Sequence, residues 1–210
     1  MALPEQPQRF PLRLLSSVTT HLIEGEAVAQ TRRWIESVVI ALGLCPFAAK
    51  SLYEDRVRCR ALPDLKSAHI SSVEIMTSLI ELILEEADRL AHTEVALTSL
   101  IITPFSFLDF EDFLDASALI EEVLAERGYE GTLQLATFHP QYRFQDEETL
   151  TGYTNRAPHP TFHLILEREI TQVSLNFPNL DELPTLNKES MERMGIDAIE
   201  TLLKSCGWRP

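Results

Sequence analysis

Residues 133–167 read LQLATFHPQYRFQDEETLTGYTNRAPHPTFHLILE, and this stretch decides the fold of the chain. Its two ends, Leu133–His139 and Thr161–Glu167, alternate apolar and polar side chains and are predicted to be β-strands. Between them, Pro140–Pro160 shows little periodicity, which predicts a long loop instead of a crossover helix. Two strands joined without a helix pair most simply as antiparallel neighbours, so the sheet is expected to contain an antiparallel pair.

The rest of the chain alternates helices with strands. Two more strands are predicted at Arg56–Leu62 and Ala96–Thr103. Apolar stripes at helical spacing predict five helices, at Ala27–Leu42, Ser71–Leu90, Leu108–Arg127, Arg168–Asn176 and Asn187–Cys206. Strands separated by helices imply parallel crossovers. The sequence therefore predicts an α/β fold, with α+β as the alternative, in which a mixed sheet of roughly four strands has helices packed on it.

The N-terminal residues differ in pattern from the rest. Residues 1–26 are predicted to be a flexible arm, followed by a single domain over residues 27–210. Residues that break or cap helices recur in this arm, namely Pro4, Pro7, Pro11 and Gly25. No apolar segment leads to a small-residue cleavage site, so a secretory signal is not expected. The apolar runs of the chain are also far shorter than the roughly 18–20 residues that span a bilayer.

The composition limits the kinds of partner that the protein is expected to bind. The chain has 210 residues, and 18 Lys and Arg against 32 Asp and Glu give a formal net charge of −14. This charge repels phosphate backbones and anionic lipid, so we expect neither a nucleic acid nor a membrane partner. Both Gly-rich nucleotide-binding motifs are absent, so standard dinucleotide and ATP sites are not expected. A small-molecule substrate is the partner that we predict, and the sequence specifies no cofactor and no oligomeric state.

The three cysteines are Cys45, Cys59 and Cys206, and they are too few and too widely spaced for a disulfide framework. A reducing cytoplasm fits them best. Cys59, on a strand, and Cys206, on the last helix, are assigned to packing. Cys45 follows Gly43, the expected C′ residue of the first helix, where the dipole disfavours a thiolate. It also precedes Pro46, which could begin a short helix whose N-terminus would stabilise the thiolate. A buried structural thiol is the third interpretation.

Two histidines mark the strands that flank the loop. His139 ends the third predicted strand, and His163 lies near the start of the fourth. If these strands pair antiparallel, both histidines fall at the same end of the sheet, where they could meet Cys45 as catalytic groups or ligands. Alternation puts His139 on the face of Leu135 and His163 on the face of Ile165. The structural alternative for each is a hydrogen-bonded histidine without a chemical role.

The loop itself carries a stiff set of polar and aromatic side chains. They are Tyr142, Arg143, Tyr153, Asn155 and Arg156, and we predict that they bind substrate. Arg156 lies among prolines and is suited to hold a carboxylate or phosphate by a bidentate fork. Alternatively, Arg156 pairs with an acidic helix of the protein itself.

Acidic residues cluster at the start of the third predicted helix and are assigned to the helix dipole; they are Asp109, Glu111, Asp112 and Asp115. The H-E-x-x-H, C-x-x-C and EF-hand patterns are absent, so the sequence assigns no metal. The alternative is a metal site in which Cys45, His139 and His163 are the ligands.

Several motifs occur together in one order: Thr31–Trp34, Leu42–Ala48, Leu108–Phe110, Asp112–Leu114, Ala136–Pro140 and Tyr153–Arg156, with Tyr142, Phe144, Pro158, Pro160 and His163. From about Ala27 to Cys206 the chain thereby resembles a mainly bacterial family known as domain of unknown function 1415. The family's last loop more usually reads Asn-Arg-Ser-Pro-Tyr-Pro, whereas this chain has Ala157 and His159 there. The resemblance implies no reaction, but its motifs include the Cys45 segment and the 138–163 segment.

Three functions are consistent with these patterns. The leading hypothesis is a cytoplasmic enzyme acting on a small anionic metabolite, with Cys45 as nucleophile or ligand and the two histidines as general acid and base. Arg156 and Asn155 would then hold the substrate. The second hypothesis is a metal-binding protein. The third is an interaction module without chemistry, in which the long loop covers hydrophobic surface and frames no pocket.

Overall fold

A mixed four-stranded sheet lies at the centre of the protein, as the sequence predicts. The structure is a computed structural model that describes residues 12–65, 70–92, 98–144, 150–174 and 180–210. The strands are β1 (Val57–Ala61), β2 (Thr98–Ile102), β3 (Leu133–Phe138) and β4 (Thr161–Leu166), in the order β1-β2-β4-β3. β1 is parallel to β2, and β4 is antiparallel to both β2 and β3. Residues 96 and 97 of the predicted second strand lie outside the described residues.

Helices connect and cover these strands. They are α1 (Leu12–Trp34), α2 (Ala48–Tyr53), α3 (Ser72–His92), α4 (Phe110–Glu126), α5 (Glu167–Ser174), α6 (Leu183–Met194) and α7 (Ile196–Ser205). A π-helix, Ile35–Ile40, directly continues α1, and 3-10 helices cover Leu150–Asn155 and Leu180–Glu182. Within the described ranges, no helix is both long and apolar enough to cross a membrane.

Two helix boundaries differ from the prediction. α1 begins at Leu12, well before Ala27, because the prolines that suggested an arm all precede Leu12. The boundary between arm and domain thus falls within a continuous helix, and this division of the chain stays a prediction. The predicted helix Asn187–Cys206 is two helices, because Gly195 adopts a φ of 78° that ends α6. The short helix expected after Pro46 is present as α2.

The sheet separates two apolar cores. α3 and α4 pack on one face against Phe162, Leu164 and Leu166 of β4. The opposite face, which includes Leu100 of β2, is covered by the π-helix, α6 and α7. Because successive side chains of a strand point to opposite faces, each position of β4 belongs to one core or the other. The molecule is therefore a three-layer arrangement of helices, sheet and helices.

A buried carboxylate ties α3 to the edge strand β1. Glu86 of α3 is 0% exposed and accepts hydrogen bonds from Arg58 Nε at 2.9 Å and Arg60 Nη1 at 3.0 Å. Ser99 Oγ of β2 donates to the same carboxylate at 2.9 Å. A buried charge is tolerated only when it is paired and hydrogen-bonded in this way. The network therefore fixes α3 across the two parallel strands.

Candidate functional site

The two predicted catalytic histidines lie on opposite faces of the sheet. β3 and β4 pair antiparallel as predicted, with Ala136 directly opposite His163. His163 therefore faces the π-helix side. His139, just after β3, packs against Phe110 and Phe113 of α4, with ring centroids 5.2 and 5.0 Å away. His139 lies three residues after Ala136, and side chains an odd number of residues apart on a strand point to opposite faces. Because Ala136 shares a face with His163, the sheet lies between the two histidines and their side chains do not converge.

His139 is held by backbone groups through both ring nitrogens. It is 0% exposed, its Nε2 donates to the carbonyl oxygen of Phe107 at 3.1 Å, and its Nδ1 accepts from the N–H of Gln141 at 3.1 Å. Burial lowers the pKa of the imidazole. Since Nδ1 accepts, the neutral ring carries its proton on Nε2. His139 thus joins the turn after β3 to the turn before α4 and presents no free base.

His163 is neutral and bound through one nitrogen. The hydroxyl of Thr98 donates to the carbonyl oxygen of Leu164 at 2.8 Å, so towards His163 it can only accept, from Nε2–H. This arrangement leaves the Nδ1 of His163 without a proton. Burial lowers the pKa of His163 to about 4, so the ring is uncharged throughout the physiological range.

Cys45 carries a thiol at neutral pH. Burial raises its pKa, whereas the N–H groups of Phe47 and Ala48, at the start of α2, act in the opposite direction with less effect. The N-terminus of a short helix is therefore present beside Cys45, as one interpretation proposed, but desolvation decides the sign of the shift. Cys45 is partly exposed, and its interpretation as a buried structural thiol stays a prediction.

The other two cysteines pack in or against an apolar core, as predicted. Cys206 is buried in the core under the π-helix, and Cys59 lies against the same core. All three cysteines are free thiols. Among the described residues no group of three or more His, Cys, Asp or Glu side chains could hold a metal ion. The alternative site of Cys45, His139 and His163 is therefore not assembled.

The predicted substrate-binding residues of the loop bind other parts of the protein. Arg156 lies 3.8 Å from the centroid of the Tyr153 ring, and its Nε donates to the carbonyl oxygen of Tyr142 at 3.2 Å. Tyr153 donates its hydroxyl to Glu200 of α7 at 2.8 Å. Arg156 thus contacts two tyrosines, and its pairing with an acidic helix, the alternative named above, stays a prediction. The contacts of Arg156 and Tyr153 hold the loop together and attach it to the last helix.

The remaining two loop residues are also engaged. Asn155 donates from Nδ2 to the carbonyl oxygen of Thr137 in β3 at 3.3 Å. Arg143 is exposed, pairs with Glu111 of α4 and lies 5.2 Å above the Phe110 ring. Asn155 thereby covers part of the open edge of the sheet, which is a common way to protect an edge strand.

The loop covers hydrophobic surface. Tyr153 and Ala157 are 6% and 0% exposed, and both belong to the core under the π-helix. Near the C-terminus, Trp208 donates from Nε1 to the carbonyl oxygen of Pro140 at 2.7 Å. This is the arrangement expected of the third hypothesis, in which the motifs of the loop are structural. Residues 145–149 of the loop lie outside the described residues.

A pocket of about 360 Å³ opens between the N-terminal halves of α3 and α4. It lies beyond the carboxyl end of β2, and the carboxyl ends of strands are where α/β proteins most often bind ligands. Its apolar lining is Ile75, Met76, Phe107, Ala116 and Leu119, and its polar lining is Ser72, Ser106, Asp112 and Asp115. Sequence reasoning did not single out this place.

Ser106 stands in the wall of the pocket with an unsatisfied hydroxyl. The residue is 2% exposed, and its Oγ has no hydrogen-bond partner among the residues that the structure describes. A buried hydroxyl without a partner costs on the order of 1–3 kcal/mol. Such a group beside a cavity is typical of a position where a ligand or a bound water completes the hydrogen bond.

The turn that holds Ser106 has a strained backbone. Phe107 adopts a φ of 57°, a left-handed conformation that costs a bulky residue on the order of 1–3 kcal/mol. Its carbonyl accepts from His139, and its ring packs edge-on against Phe162 with centroids 6.1 Å apart. Strained turns of this kind recur at ligand-binding sites. His139 therefore supports the candidate site by holding its backbone.

The acidic residues of α4 divide into two groups. Asp109 caps the helix, since its side chain accepts from the N–H groups of Glu111 and Asp112 at 2.9 and 3.2 Å. Asp112 and Asp115 are exposed and line the pocket. Asp115 lies in the second turn, where the dipole has little effect. The prediction that all of these acids complement the dipole is therefore incomplete.

Sequence signals for this pocket were weak. Ser106 is a single polar residue between Phe105 and Phe107, in a turn that is otherwise apolar. An apolar turn directly after a buried strand indicates contact with the core. The sequence did not indicate that one hydroxyl in the turn would be left without a partner.

A wider groove, of about 820 Å³, runs along the outer side of α3. Several of its polar groups pair with one another: Tyr129 donates to Asp88 at 3.0 Å, and Arg89 donates to Glu85 at 3.4 Å. It reaches His92, next to residues 93–97, which lie outside the described residues. Within the described lining of this groove, no buried polar atom resembles the hydroxyl of Ser106.

The order β1-β2-β4-β3, with helices on both faces and a pocket beyond β2, defines an α/β protein with a mixed sheet. The family described as "Protein of unknown function (DUF1415)" matches residues 26–201, and the chain belongs to this family. The resemblance seen in the motifs is thereby confirmed. No curated protein and no solved structure matches the chain.

Proposed function

We propose that this protein binds a small organic molecule in the pocket between α3 and α4. The observation that carries the proposal is the buried hydroxyl of Ser106, which lacks a partner in the pocket wall. The volume of about 360 Å³ falls within the range of roughly 300–1,000 Å³ usual for small-molecule sites. Ser106 Oγ is itself covered by its neighbours, so a ligand reaches it when the side chain turns towards the pocket. The hydrogen bond then removes the cost of the unpaired group, which adds to the binding free energy of the ligand.

The surroundings of Ser106 suit a preformed site. Glu86 fixes α3 against the strands, and His139 fixes the carbonyl of Phe107 beside the pocket. Both contacts exist without a ligand, so little ordering is needed when one binds. Preorganisation of this kind increases affinity because it reduces the entropy lost on binding.

The small-molecule partner predicted from the sequence is retained here, but at a different site. Catalysis stays a prediction, because no described base lies within hydrogen-bond reach of Ser106 Oγ. An anionic metabolite was predicted from the arginines of the loop, and Arg143 and Arg156 are engaged with the protein itself. These contacts do not favour the binding of an anion at the loop.

We also propose a bacterial cytoplasmic location without a nucleic acid partner. The three free thiols support a reducing compartment, and the resemblance to a mainly bacterial family supports the source. The net charge of −14 supports the exclusion of nucleic acid.

A screen of small metabolites by thermal unfolding tests the proposal, with Leu119→Trp to block the pocket. Leu119 lines the pocket and is 38% exposed, whereas Leu114, on the same helix but outside the lining, is 39% exposed. Leu114→Trp is therefore a matched control. We expect compounds that raise the unfolding temperature of the wild type and of Leu114→Trp, but not of Leu119→Trp. A screen without such compounds, or with equal shifts in both variants, contradicts the proposal.

Ser106→Ala tests the hydroxyl itself. We expect the free protein to be as stable as the wild type or more so, because the substitution removes an unpaired buried group. Affinity for a ligand found in the screen is expected to fall about five- to tenfold, the equivalent of one hydrogen bond. Ser117 is the control, since its buried Oγ donates to the carbonyl oxygen of Phe113 at 2.7 Å. Ser117→Ala is expected to lower stability and leave ligand affinity unchanged. The opposite pattern would show that Ser106 does not face the ligand.

A further inference from the structure

We infer that the ligand of this pocket is an organic ammonium ion with an apolar portion. The inference rests on the proposed function and names the chemical class of the ligand. Asp112 and Asp115 line the pocket, and no Lys, Arg or His is among its described lining residues. A bound cation is therefore the complement that the charges of this wall require.

The helix dipole does not account for both carboxylates. α4 begins at Phe110, and Asp109 already accepts the N–H groups of the first turn. Asp112 lies within that turn, but Asp115 lies beyond the reach of the dipole. Residues three apart are neighbours on a helix surface, so the two like charges repel each other and destabilise α4. A cation between them removes this repulsion.

A third acidic residue near the start of α4 is already paired with a cation of the protein. Glu111 is paired with Arg143, outside the pocket. Asp112 and Asp115 instead line the pocket, whose described lining includes no Lys, Arg or His.

The rest of the wall requires an apolar portion in the ligand. Ile75, Met76 and Phe107 line the pocket, and Leu119 remains 38% exposed at its side. Removing such surface from water contributes favourably to binding. A hard metal ion is a poor fit, because Ca²⁺ takes six or more oxygen ligands, and apolar side chains supply none. The buried hydroxyl of Ser106 can donate to, or accept from, a polar group of the ligand.

Calorimetric titrations with three probes of similar shape test the charge. They are 2-phenylethylamine, 2-phenylethanol and 3-phenylpropanoate, at neutral pH with a chelator present to remove metal ions. We expect the amine to bind at least about tenfold more tightly than the alcohol, and the carboxylate to bind more weakly than both. Leu119→Trp is expected to abolish binding of the amine, and Leu114→Trp to leave it unchanged.

Substitution of single carboxylates identifies the groups that bind the ammonium. Asp112→Asn and Asp115→Asn are each expected to weaken amine binding about two- to fivefold, the effect of one exposed ion pair, with the alcohol unaffected. Glu111→Gln makes the same change of charge on the same helix outside the pocket, and it is expected to have no effect.

The outcomes separate the two proposals. If the alcohol or the carboxylate binds as tightly as the amine and Leu119→Trp abolishes that binding, the ammonium inference fails while the pocket remains a ligand site. If the amine still binds Leu119→Trp, or responds equally to Glu111→Gln, attraction to an acidic surface explains it and the inference fails. If none of the probes binds the wild type, the inference is overturned, and the metabolite screen alone decides the proposed function.

Discussion

Burial alone sets the protonation state of His163. The ring donates to Thr98 on the face of the sheet that the π-helix covers, and burial lowers its pKa from 6.5 to about 4. His159, whose pKa burial also lowers to about 4, behaves in the same way. The unfolded chain takes up protons on both rings near pH 6.5, whereas the folded chain takes them up only near pH 4.

The free energy of unfolding is therefore expected to fall as the pH drops from about 6.5 to about 4. Each pKa unit corresponds to about 1.4 kcal/mol, so His163 alone accounts for roughly 3 kcal/mol of this loss. Urea unfolding at a series of pH values measures it. His163→Asn is expected to reduce the slope in this range, because it removes one of the two titrating groups and leaves His159. A wild-type slope in His163→Asn would contradict the account.

At this scale the sequence predicted residue types better than residue contacts. Alternation predicted which neighbours on each strand share a face with His139 and with His163. Once the register is known, with Ala136 opposite His163, the same alternation puts the two histidines on opposite faces of the sheet. The register itself depends on the packing of both cores, which no local pattern contains. For a similar reason the sequence could not predict that the Ser106 hydroxyl has no partner among the described residues. Whether a partner is present depends on the positions of all the residues around Ser106.

At the scale of elements, the 3-10 helix Leu150–Asn155 packs closely against the start of the loop. A Cβ on Gly152 would lie 2.9 Å from the backbone oxygen of Tyr142 and 3.5 Å from the Cα of Arg143. Backbone cannot move aside as the end of a flexible side chain can. Glycine at this position therefore lets two parts of the loop approach each other.

Gly152→Ala is expected to lower the free energy of unfolding by about 1–3 kcal/mol, the usual cost of overpacking. Gly25→Ala is the control, because Gly25 lies in α1 and a Cβ there would have nothing within 4 Å. That change is expected to raise stability by up to about 1 kcal/mol, since alanine favours a helix. Chemical unfolding of both variants measures their free energies of unfolding. Equal changes in the two variants would show that the close approach at Gly152 does not affect stability.

The sequence predicted the existence of elements more reliably than their ends. All four strands were found, because alternation and short apolar runs identify them directly. The start of α1 was placed at Ala27 because its apolar stripe begins there, although helical backbone extends back to Leu12. Gly195 was passed over because amphipathic spacing continues on both sides of it, and only its φ of 78° separates α6 from α7.

For the whole molecule, the charge of −14 dominates encounters with other macromolecules. We expect no binding to a duplex of about 20 base pairs in fluorescence anisotropy, even at low salt, where phosphate contacts are strongest. Denatured protein at the same concentration controls for nonspecific effects on the fluorescent dye attached to the duplex. Binding that weakens linearly in log salt would reveal a phosphate-contacting surface and contradict this expectation.

The π-helix determines how α1 is rotated relative to the rest of the protein. Its wider turns take up more residues than α-helical turns of the same height. An extra residue inserted into a purely α-helical segment would turn everything before it by about 100°, whereas the π-helix accommodates an extra residue without that rotation. Ala27 and Thr31, which are 1% and 0% exposed, thereby stay in the interior. The π-helix therefore decides which side of the N-terminal helix meets the sheet.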